Sequence, residues 1–217
     1  ENDKEKYIGS PQEWEEVQGR MRQILDDLNI DYKEASGEAA FYGPKLDIQI
    51  KNVHGKEDTL ITIQIDFQLA ERFGMTYVDA EGQTKYPYVI HRTSIGCYER
   101  TLALLLEKYA GALPTWLMPE QVRVLPISDR LIDDAKKVEE QLSRAGIRVS
   151  CDTRSEKVGY KIREAQLEKI PYMLVIGDKE VEEGTVSVRS RKEGDLGSMP
   201  VESFLSKILQ EIATKAK

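Results

Sequence analysis

The sequence has little of what would mark a membrane or secreted protein. No apolar run in its 217 residues approaches the roughly 20 residues that a membrane-spanning helix needs. The first residues, ENDKEKYIG, have neither the apolar stretch of a signal peptide nor an initiator methionine. We therefore expect a piece of a longer cytoplasmic protein that has no membrane partner.

Cysteine is also scarce. The two cysteines, Cys97 and Cys151, are far apart and form no CxxC pair, which argues against a disulfide framework. Either thiol could bind a metal, but an isolated cysteine is more often a buried free thiol. We expect buried free thiols here.

A basic excess is missing too, since the net charge is −7, which argues against a generic binder of polyanions. The negative excess lies in residues 1–118, whereas residues 119–217 carry 18 basic and 18 acidic residues. A basic cluster in the second half could meet phosphates, although a solvated helix face explains it equally well from charge alone. Its members are Arg144, Arg148, Arg154, Lys157, Lys161, Arg163 and Lys169.

The first half predicts a helix and then an antiparallel sheet. Ser10-Pro11-Gln12-Glu13 is typical of a helix start, and apolar residues at helical spacing follow to about Asn29. Alternating segments around residues 46–50, 61–67 and 88–91 predict strands with one apolar face. Residues 95–109 predict a helix whose buried stripe is Ile95, Leu102, Leu105 and Leu106.

The second half alternates strands and helices, which predicts a mixed sheet with helices packed on it. Strands are expected at 122–127, 147–151, 172–176 and 186–189, and helices at 130–144, 158–169 and 200–214. Residues 112–119, which contain two prolines, are interpreted as the linker between the halves.

Two polar patterns in the first half are candidate sites. Thr62, Gln64 and Asp66 share one side of a strand, which fits either the floor of a polar pocket or a solvent-facing strand. His91 follows an apolar strand, and Gly96 then opens a helix that carries Arg100 near its first turn. A helix start with an arginine favours phosphate binding, whereas a lone histidine is usually structural.

Longer stretches resemble a known family. HRTSIGCYERTLALLLEKYAG is similar to motif 3 of the class II aminoacyl-tRNA synthetases, and GEAAFYGPKLDIQIK and TIQIDFQLAERF are similar to their threonine-specific branch. VLPISDR, EKVGYKIREAQLEKIPYMLVIGDKE and SVRSRKEGDLGSM resemble the anticodon-binding domain of that branch. The resemblance implies an α+β protein. Residues 1–118 would form part of the class II antiparallel sheet with its helices, and residues 119–217 an α/β anticodon-binding domain with a mixed sheet.

The resemblance implies a ligase that activates threonine with ATP and Mg²⁺ and transfers it to threonine tRNA. Arg100, as the motif 3 arginine, would bind the triphosphate and neutralise charge as pyrophosphate leaves. Further family positions near the nucleotide, threonine and the tRNA acceptor end match Tyr42, Lys45, Thr62, Gln64 and Asp66. Positions of the anticodon-contacting surface match Ser155, Lys157, Arg163, Lys179, Glu180 and Arg189. A charged turn is the plain interpretation of Lys179-Glu180.

His91 matches one of three protein ligands of the family's catalytic Zn²⁺. The resemblance implies that this ion distinguishes threonine from valine, because only threonine has a side-chain hydroxyl group to bind it. The other two ligands, motif 2 and the dimer-forming motif 1 lie upstream in the family. We therefore expect a homodimer for the intact enzyme, and a chain that alone binds neither zinc nor ATP usefully. Asp58-Thr-Leu-Ile61 replaces a Trp-Gln-Cys-Gly stretch of many bacterial relatives, so the pocket there is expected to be built differently.

Two alternatives remain open. The chain could be a free-standing tRNA- or RNA-binding paralogue without aminoacylation activity. It could also belong to another class II enzyme with this anticodon domain, such as the prolyl, histidyl or glycyl type. The histidine before motif 3 and the FYGPK segment argue against the second alternative.

Overall fold

The computed structural model describes residues 6–216, and the chain divides between Leu104 and Leu105 into two compact units. The predicted domain boundary at 118/119 stays a prediction. No helix within the described range is long and apolar enough to cross a membrane. The first unit contains α1 (Pro11–Asp27), β1 (Lys45–Lys51), β2 (Glu57–Asp66), α2 (Leu69–Arg72), β3 (Tyr77–Val78), β4 (Thr84–Lys85), β5 (Val89–Arg92) and the start of α3 (Tyr98–Lys108).

Helix α1 begins at the predicted residues. The Ser10 hydroxyl accepts the Glu13 N–H at 3.2 Å, and the Glu13 carboxylate accepts the Ser10 N–H at 2.7 Å. This reciprocal pair satisfies two N–H groups that the first helical turn leaves unpaired. The predicted helix start is therefore confirmed.

The predicted antiparallel sheet is present, with β2 between β1 and β5. Its apolar residues do share one face, because Ile48 pairs with Ile61 and Ile65 pairs with Ile90. That face is only partly covered among the described residues, since Ile48 is 46% exposed and Ile90 65% exposed. The alternation thus predicted correctly which side chains share a face, but it did not predict whether that face is buried.

The buried stripe predicted for the helix at 95–109 is wrong for three of its four residues. Ile95, Leu102 and Leu106 are exposed, and only Leu105 packs against a buried core. Described residues cover these three side chains only partly, so apolar residues at helical spacing did not predict burial here.

The second unit contains a five-stranded mixed sheet in the order β10-β9-β8-β6-β7. Strands β7, β6 and β8 are parallel, and β8, β9 and β10 are antiparallel. The predicted mixed sheet with packed helices is confirmed. Its elements are β6 (Val122–Pro126), a 3₁₀ turn (Asp129–Leu131), α4 (Ile132–Arg144), β7 (Val149–Cys151), α5 (Val158–Leu167), β8 (Tyr172–Ile176), α6 (Asp178–Glu183), β9 (Thr185–Ser190), β10 (Gly194–Pro200) and α7 (Val201–Ala213).

Each face of this sheet carries its own apolar core. On one face, α4 and α7 pack on alternate strand residues, with Phe204 and Ile208 of α7 fully buried. On the other face, α5 contributes Ala165 and packs with Met173 of β8 and Leu125 of β6. The sheet is therefore the middle layer of the second unit, and α4 and α5 lie on opposite sides of it.

Residues 112–119 are not a free linker. Leu113, Thr115 and Met118 are buried, and two arginines of the second unit hold the segment by its backbone. Arg191 donates to the Leu113 carbonyl at 2.6 Å, and Arg148 donates to the Met118 carbonyl at 2.8 Å. The prolines therefore mark a segment that packs without secondary structure, which sequence composition cannot distinguish from a flexible tether.

The two cysteines differ in environment. Cys97 is exposed, so the expectation that it is buried is wrong. Cys151 is half-buried at the end of β7, where burial raises the pKa of its thiol to about 11. A thiol in that environment is a poor metal ligand, because metals bind the thiolate.

We predict that Phe204→Ala lowers the free energy of unfolding of the second unit by about 3–5 kcal/mol, because it removes a fully buried ring. Leu209→Ala on the same helix, where the side chain is 39% exposed, is the control and should cost about 1 kcal/mol. Urea unfolding followed by Trp116 fluorescence in a Trp14→Phe background measures both. Equal losses for the two variants would contradict the packing described for α7.

Candidate functional site

The first unit carries a continuous polar face on its three-stranded sheet. Lys45 and Asp47 of β1 lie directly opposite Gln64 and Thr62 of β2. Gln64 in turn lies opposite His91 of β5. Because side chains opposite each other in a sheet project from the same face, the predicted site residues of three strands share one surface.

Neighbouring side chains on this face are hydrogen bonded to one another. The Thr62 hydroxyl donates to Asp47 Oδ1 at 2.7 Å, and Lys45 Nζ donates to Asp47 Oδ2 at 2.5 Å. The Tyr42 hydroxyl donates to Gln64 Oε1 at 2.6 Å. Asp47, which the sequence analysis did not single out, thus orients two predicted site residues. Its place in the β1 alternation was the only signal for it.

Asp66 fixes the imidazole of His91. One carboxylate oxygen accepts the backbone N–H groups of Gln68 and Leu69, and the other lies 3.0 Å from His91 Nε2. Burial disfavours the charged form, but these hydrogen bonds outweigh it and lower the pKa of the Asp66 carboxyl. The carboxylate therefore stays ionised as the pH falls through its ordinary value, and its stabilising contribution is lost only below that.

Gly43 sets the position of Tyr42. The Tyr42 carbonyl accepts the Phe67 N–H at 2.9 Å and the Pro44 carbonyl accepts the Ile65 N–H at 3.0 Å, so this segment runs along β2. A Cβ on Gly43 would lie 1.8 Å from the Ile65 carbonyl oxygen. Only glycine permits this approach, which brings the phenol of Tyr42 over the polar face.

The opposite end of β2 contains a bulge that receives Arg100. The pairing register shifts between Ile48 and Gln49 of β1, which leaves Leu60 of β2 as an extra residue. A Cβ on Gly96 would lie 2.1 Å from the Leu60 carbonyl oxygen, and Arg100 Nη1 donates to the Thr59 carbonyl at 2.9 Å. The bulge falls within the Asp58–Ile61 stretch, the segment that departs from the family pattern.

No metal centre is formed by the described residues. Nowhere within residues 6–216 do three His, Cys, Asp or Glu side chains come together in a way that could hold a metal ion. A catalytic zinc needs three protein ligands, so His91 does not make a zinc site with the residues described here.

The predicted anticodon residues of the second unit lie mainly at one sheet edge. Because β7, β6 and β8 are parallel, the loops after their carboxyl ends meet at that edge. Ser155 and Lys157 lie after β7, and Lys179 and Glu180 lie in the first turn of α6 after β8. Ser155 Oγ donates to Asp129 Oδ2 at 3.0 Å, which links the loops after β7 and β6.

Glu180 has a local structural role. Its carboxylate accepts the Gly177 N–H at 3.0 Å and so caps helix α6. Lys179 lies 3.9 Å from Glu183 of the same helix. Lys179-Glu180 is therefore part of a short helix rather than an open charged turn, and one Glu180 oxygen serves the fold.

Arg163 and Arg189 lie away from this edge but on one side of the sheet. Arg163 is exposed on α5. Arg189 of β9 lies opposite Met173, whose side chain faces the α5 layer, and it donates to Asp195 at 3.2 Å. Both guanidinium groups thus belong to the α5 side of the second unit.

Two family models match the chain in sequence order. The tRNA synthetase class II core domain (G, H, P, S and T) matches residues 5–109, and the anticodon binding domain matches residues 121–211. A curated threonine–tRNA ligase of Clostridium perfringens is 64% identical over 214 residues, which are 99% of this chain and 33% of the relative. The chain belongs to the threonyl-tRNA synthetase family.

Other threonyl-tRNA synthetases agree in sequence and fold. The threonine–tRNA ligase of Halalkalibacterium halodurans is 52% identical over 96% of this chain and 33% of its own length. The crystal structure of the RNA binding domain of threonyl-tRNA synthetase from Cryptosporidium parvum superposes with a TM-score of 0.86, at 36% identity, over 94% of this chain and 52% of that chain. The chain spans about a third of the length of the curated synthetases it matches.

We predict that Gly96→Ala destabilises the first unit of this synthetase chain by about 2 kcal/mol more than Gly82→Ala. Both glycines have positive φ, +66° and +78°, so both substitutions strain the backbone, but only Gly96 faces a carbonyl oxygen, whereas Gly82 has open space. Urea unfolding followed by Trp14 fluorescence in a Trp116→Phe background compares the two. If the two substitutions destabilise equally, the close approach of Gly96 to β2 is refuted.

Proposed function

We propose that the chain is part of an ATP-dependent threonine–tRNA ligase. In this proposal residues 1–118 complete the catalytic core and residues 119–217 recognise the anticodon. The observation that carries it is the polar face of the first unit, where side chains of β1, β2 and β5 form one hydrogen-bonded surface. The 64% identity to a threonine–tRNA ligase supports the same conclusion.

Arg100 is proposed to bind the triphosphate of ATP, which enters with Mg²⁺. One N–H of its guanidinium holds the Thr59 carbonyl, and the remaining N–H groups have no acceptor among residues 6–216. They are free to donate to phosphate oxygens and to stabilise charge as the threonine carboxylate displaces pyrophosphate. Threonine and the nucleotide would contact the face formed by Tyr42, Lys45, Thr62, Gln64 and Asp66.

The Zn²⁺ site at His91 remains a proposal for the complete enzyme. When Nε2 of the His91 ring carries the proton, it donates to the Asp66 carboxylate. The lone pair of Nδ1 can then bind a metal ion. The residues described here supply a single imidazole, which does not fit a zinc ion by itself, so no step of the reaction is derived through the metal. A homodimer and a cytoplasmic location are likewise proposed for the complete enzyme.

The second unit is proposed to bind the anticodon loop of threonine tRNA. Ser155, Lys157 and Lys179 at the carboxyl edge of the sheet can donate hydrogen bonds to phosphates or base edges. Arg163 and Arg189 extend this donor surface along the α5 side of the unit. Single-stranded loops are recognised in this way, through exposed bases rather than through a helical groove.

We predict that the chain alone, with threonine, ATP and Mg²⁺, gives no measurable ATP–pyrophosphate exchange, because the phosphate-binding arginine of motif 2 lies outside this sequence in the family. The same assay on a complete relative of known activity is the positive control. Robust exchange by the chain alone would contradict the proposed position of the active site.

We predict that Arg163→Glu weakens binding of a threonine anticodon stem-loop by about tenfold or more. The substitution replaces a positively charged hydrogen-bond donor by a negative charge, which the RNA phosphates repel. Arg144→Glu is the matched control, because Arg144 is also an exposed arginine on a helix but lies on α4, across the sheet. Fluorescence anisotropy with labelled RNA measures both dissociation constants. If the two variants lose the same affinity, non-specific charge rather than the α5 surface governs binding.

A further inference from the structure

Lys161 is the one member of the predicted basic cluster that cannot meet solvent directly. It lies in α5 and is 2% exposed. Its ammonium group donates to the Asp152 carbonyl at 3.0 Å and to the Pro126 carbonyl at 3.2 Å. An ammonium group removed from water destabilises a protein unless hydrogen bonds replace its hydration, and here two neutral carbonyls replace it.

These two carbonyls stand at the roots of two loops. Pro126 is the last residue of β6, and Asp152 directly follows β7, where its N–H still pairs with the Val124 carbonyl of β6. Beyond Pro126 the chain enters residues 127–130, and beyond Asp152 it enters residues 153–157. Lys161 therefore joins both loops at the point where each leaves the sheet.

The loop after β7 is also organised around its own first residue. The Asp152 carboxylate accepts Arg154 Nε at 2.9 Å and Nη2 at 2.7 Å, and the Arg154 guanidinium lies 5.8 Å from the centre of the Tyr160 ring. Arg154 thus pairs with this carboxylate, whereas the Lys161 ammonium donates to backbone carbonyls. Further out, Ser155 bonds to Asp129 of the neighbouring loop.

We propose that Lys161 is a positioning residue for anticodon recognition: it fixes the roots of both loops so that Ser155 and Lys157 meet the RNA in one geometry. The inference rests on the proposed function of the second unit. It does not involve direct contact between Lys161 and RNA, since the side chain is 2% exposed.

The test is the binding of two RNA stem-loops, one with a threonine anticodon and one with a changed anticodon, to the chain and its variants. Lys161→Met keeps the length of the side chain but removes the charge and the donors. We expect its Kd for the threonine stem-loop to rise about tenfold and its Kd for the changed stem-loop to stay within about twofold, because loop geometry serves specific contacts. Lys137→Met, which removes an exposed lysine of α4, is the control and should leave both Kd values unchanged.

The salt dependence of binding separates positioning from contact. A lysine that touches a phosphate contributes about one to the slope of log Kd against log salt concentration, and a buried positioning lysine contributes nothing. An unchanged slope for Lys161→Met supports the proposal, whereas a slope reduced by about one overturns it. Unchanged discrimination between the two stem-loops, accompanied only by a lower Tm, also overturns it, because Lys161 would then serve the fold alone.

If circular dichroism shows that Lys161→Met does not fold, Lys161→Gln takes its place. Its amide keeps N–H donors near the two carbonyls, so we expect a smaller loss of discrimination, about threefold. Full discrimination by this variant together with a lower Tm overturns the proposal, because the contacts would then be weakened with no effect on RNA recognition. If the unmodified chain fails to distinguish the two stem-loops, the proposed function itself fails. This outcome is measured on the unmodified chain alone and is therefore distinct from a failure of the Lys161 proposal.

Discussion

The first unit depends on two places where the backbone of another segment lies directly against β2. Gly43 lies against the Ile65 carbonyl near one end of the strand, and Gly96 lies against the Leu60 carbonyl near the other. Neither position has room for a Cβ. Because both contacts are between main chains, they set how closely the segments that carry Tyr42 and Arg100 approach β2. The polar side chains of the sheet then lie between these two fixed points.

The second unit uses basic side chains as internal donors. Lys161 donates to the backbone carbonyls of Pro126 and Asp152 at strand ends, and Arg148 and Arg191 donate to those of Met118 and Leu113, which lie outside strands and helices. A carbonyl that is buried without a donor destabilises the fold, so each contact stabilises an irregular segment. Charge in this half of the protein therefore has two roles, one inside the fold and one on the proposed RNA surface.

Sequence reasoning predicted the long elements and the composition of the polar face. The alternation around β2 put Thr62, Gln64 and Asp66 on one side, and the strand–helix rhythm of the second half predicted the mixed sheet. It missed α2, β3, β4 and α6, which are too short to show a period, and β10, whose two glycines and final proline are unfavourable in a strand. It also placed Lys161 with the surface charges, because burial of a lysine depends on carbonyls that are distant in sequence.

The hydrogen bonds from Arg148 and Arg191 to the backbone of residues 112–118 have a consequence for where the second unit can be cut from the rest of the chain. A cut at residue 119 would strip Leu113 and Met118 from the core beneath α5 and remove the carbonyl oxygens that Arg191 and Arg148 hold. Such a piece would lack part of the core on the α5 side of the sheet, although every regular strand and helix of its sheet starts at Val122 or later. The core of the matched anticodon binding domain thus extends into a segment that precedes its first strand.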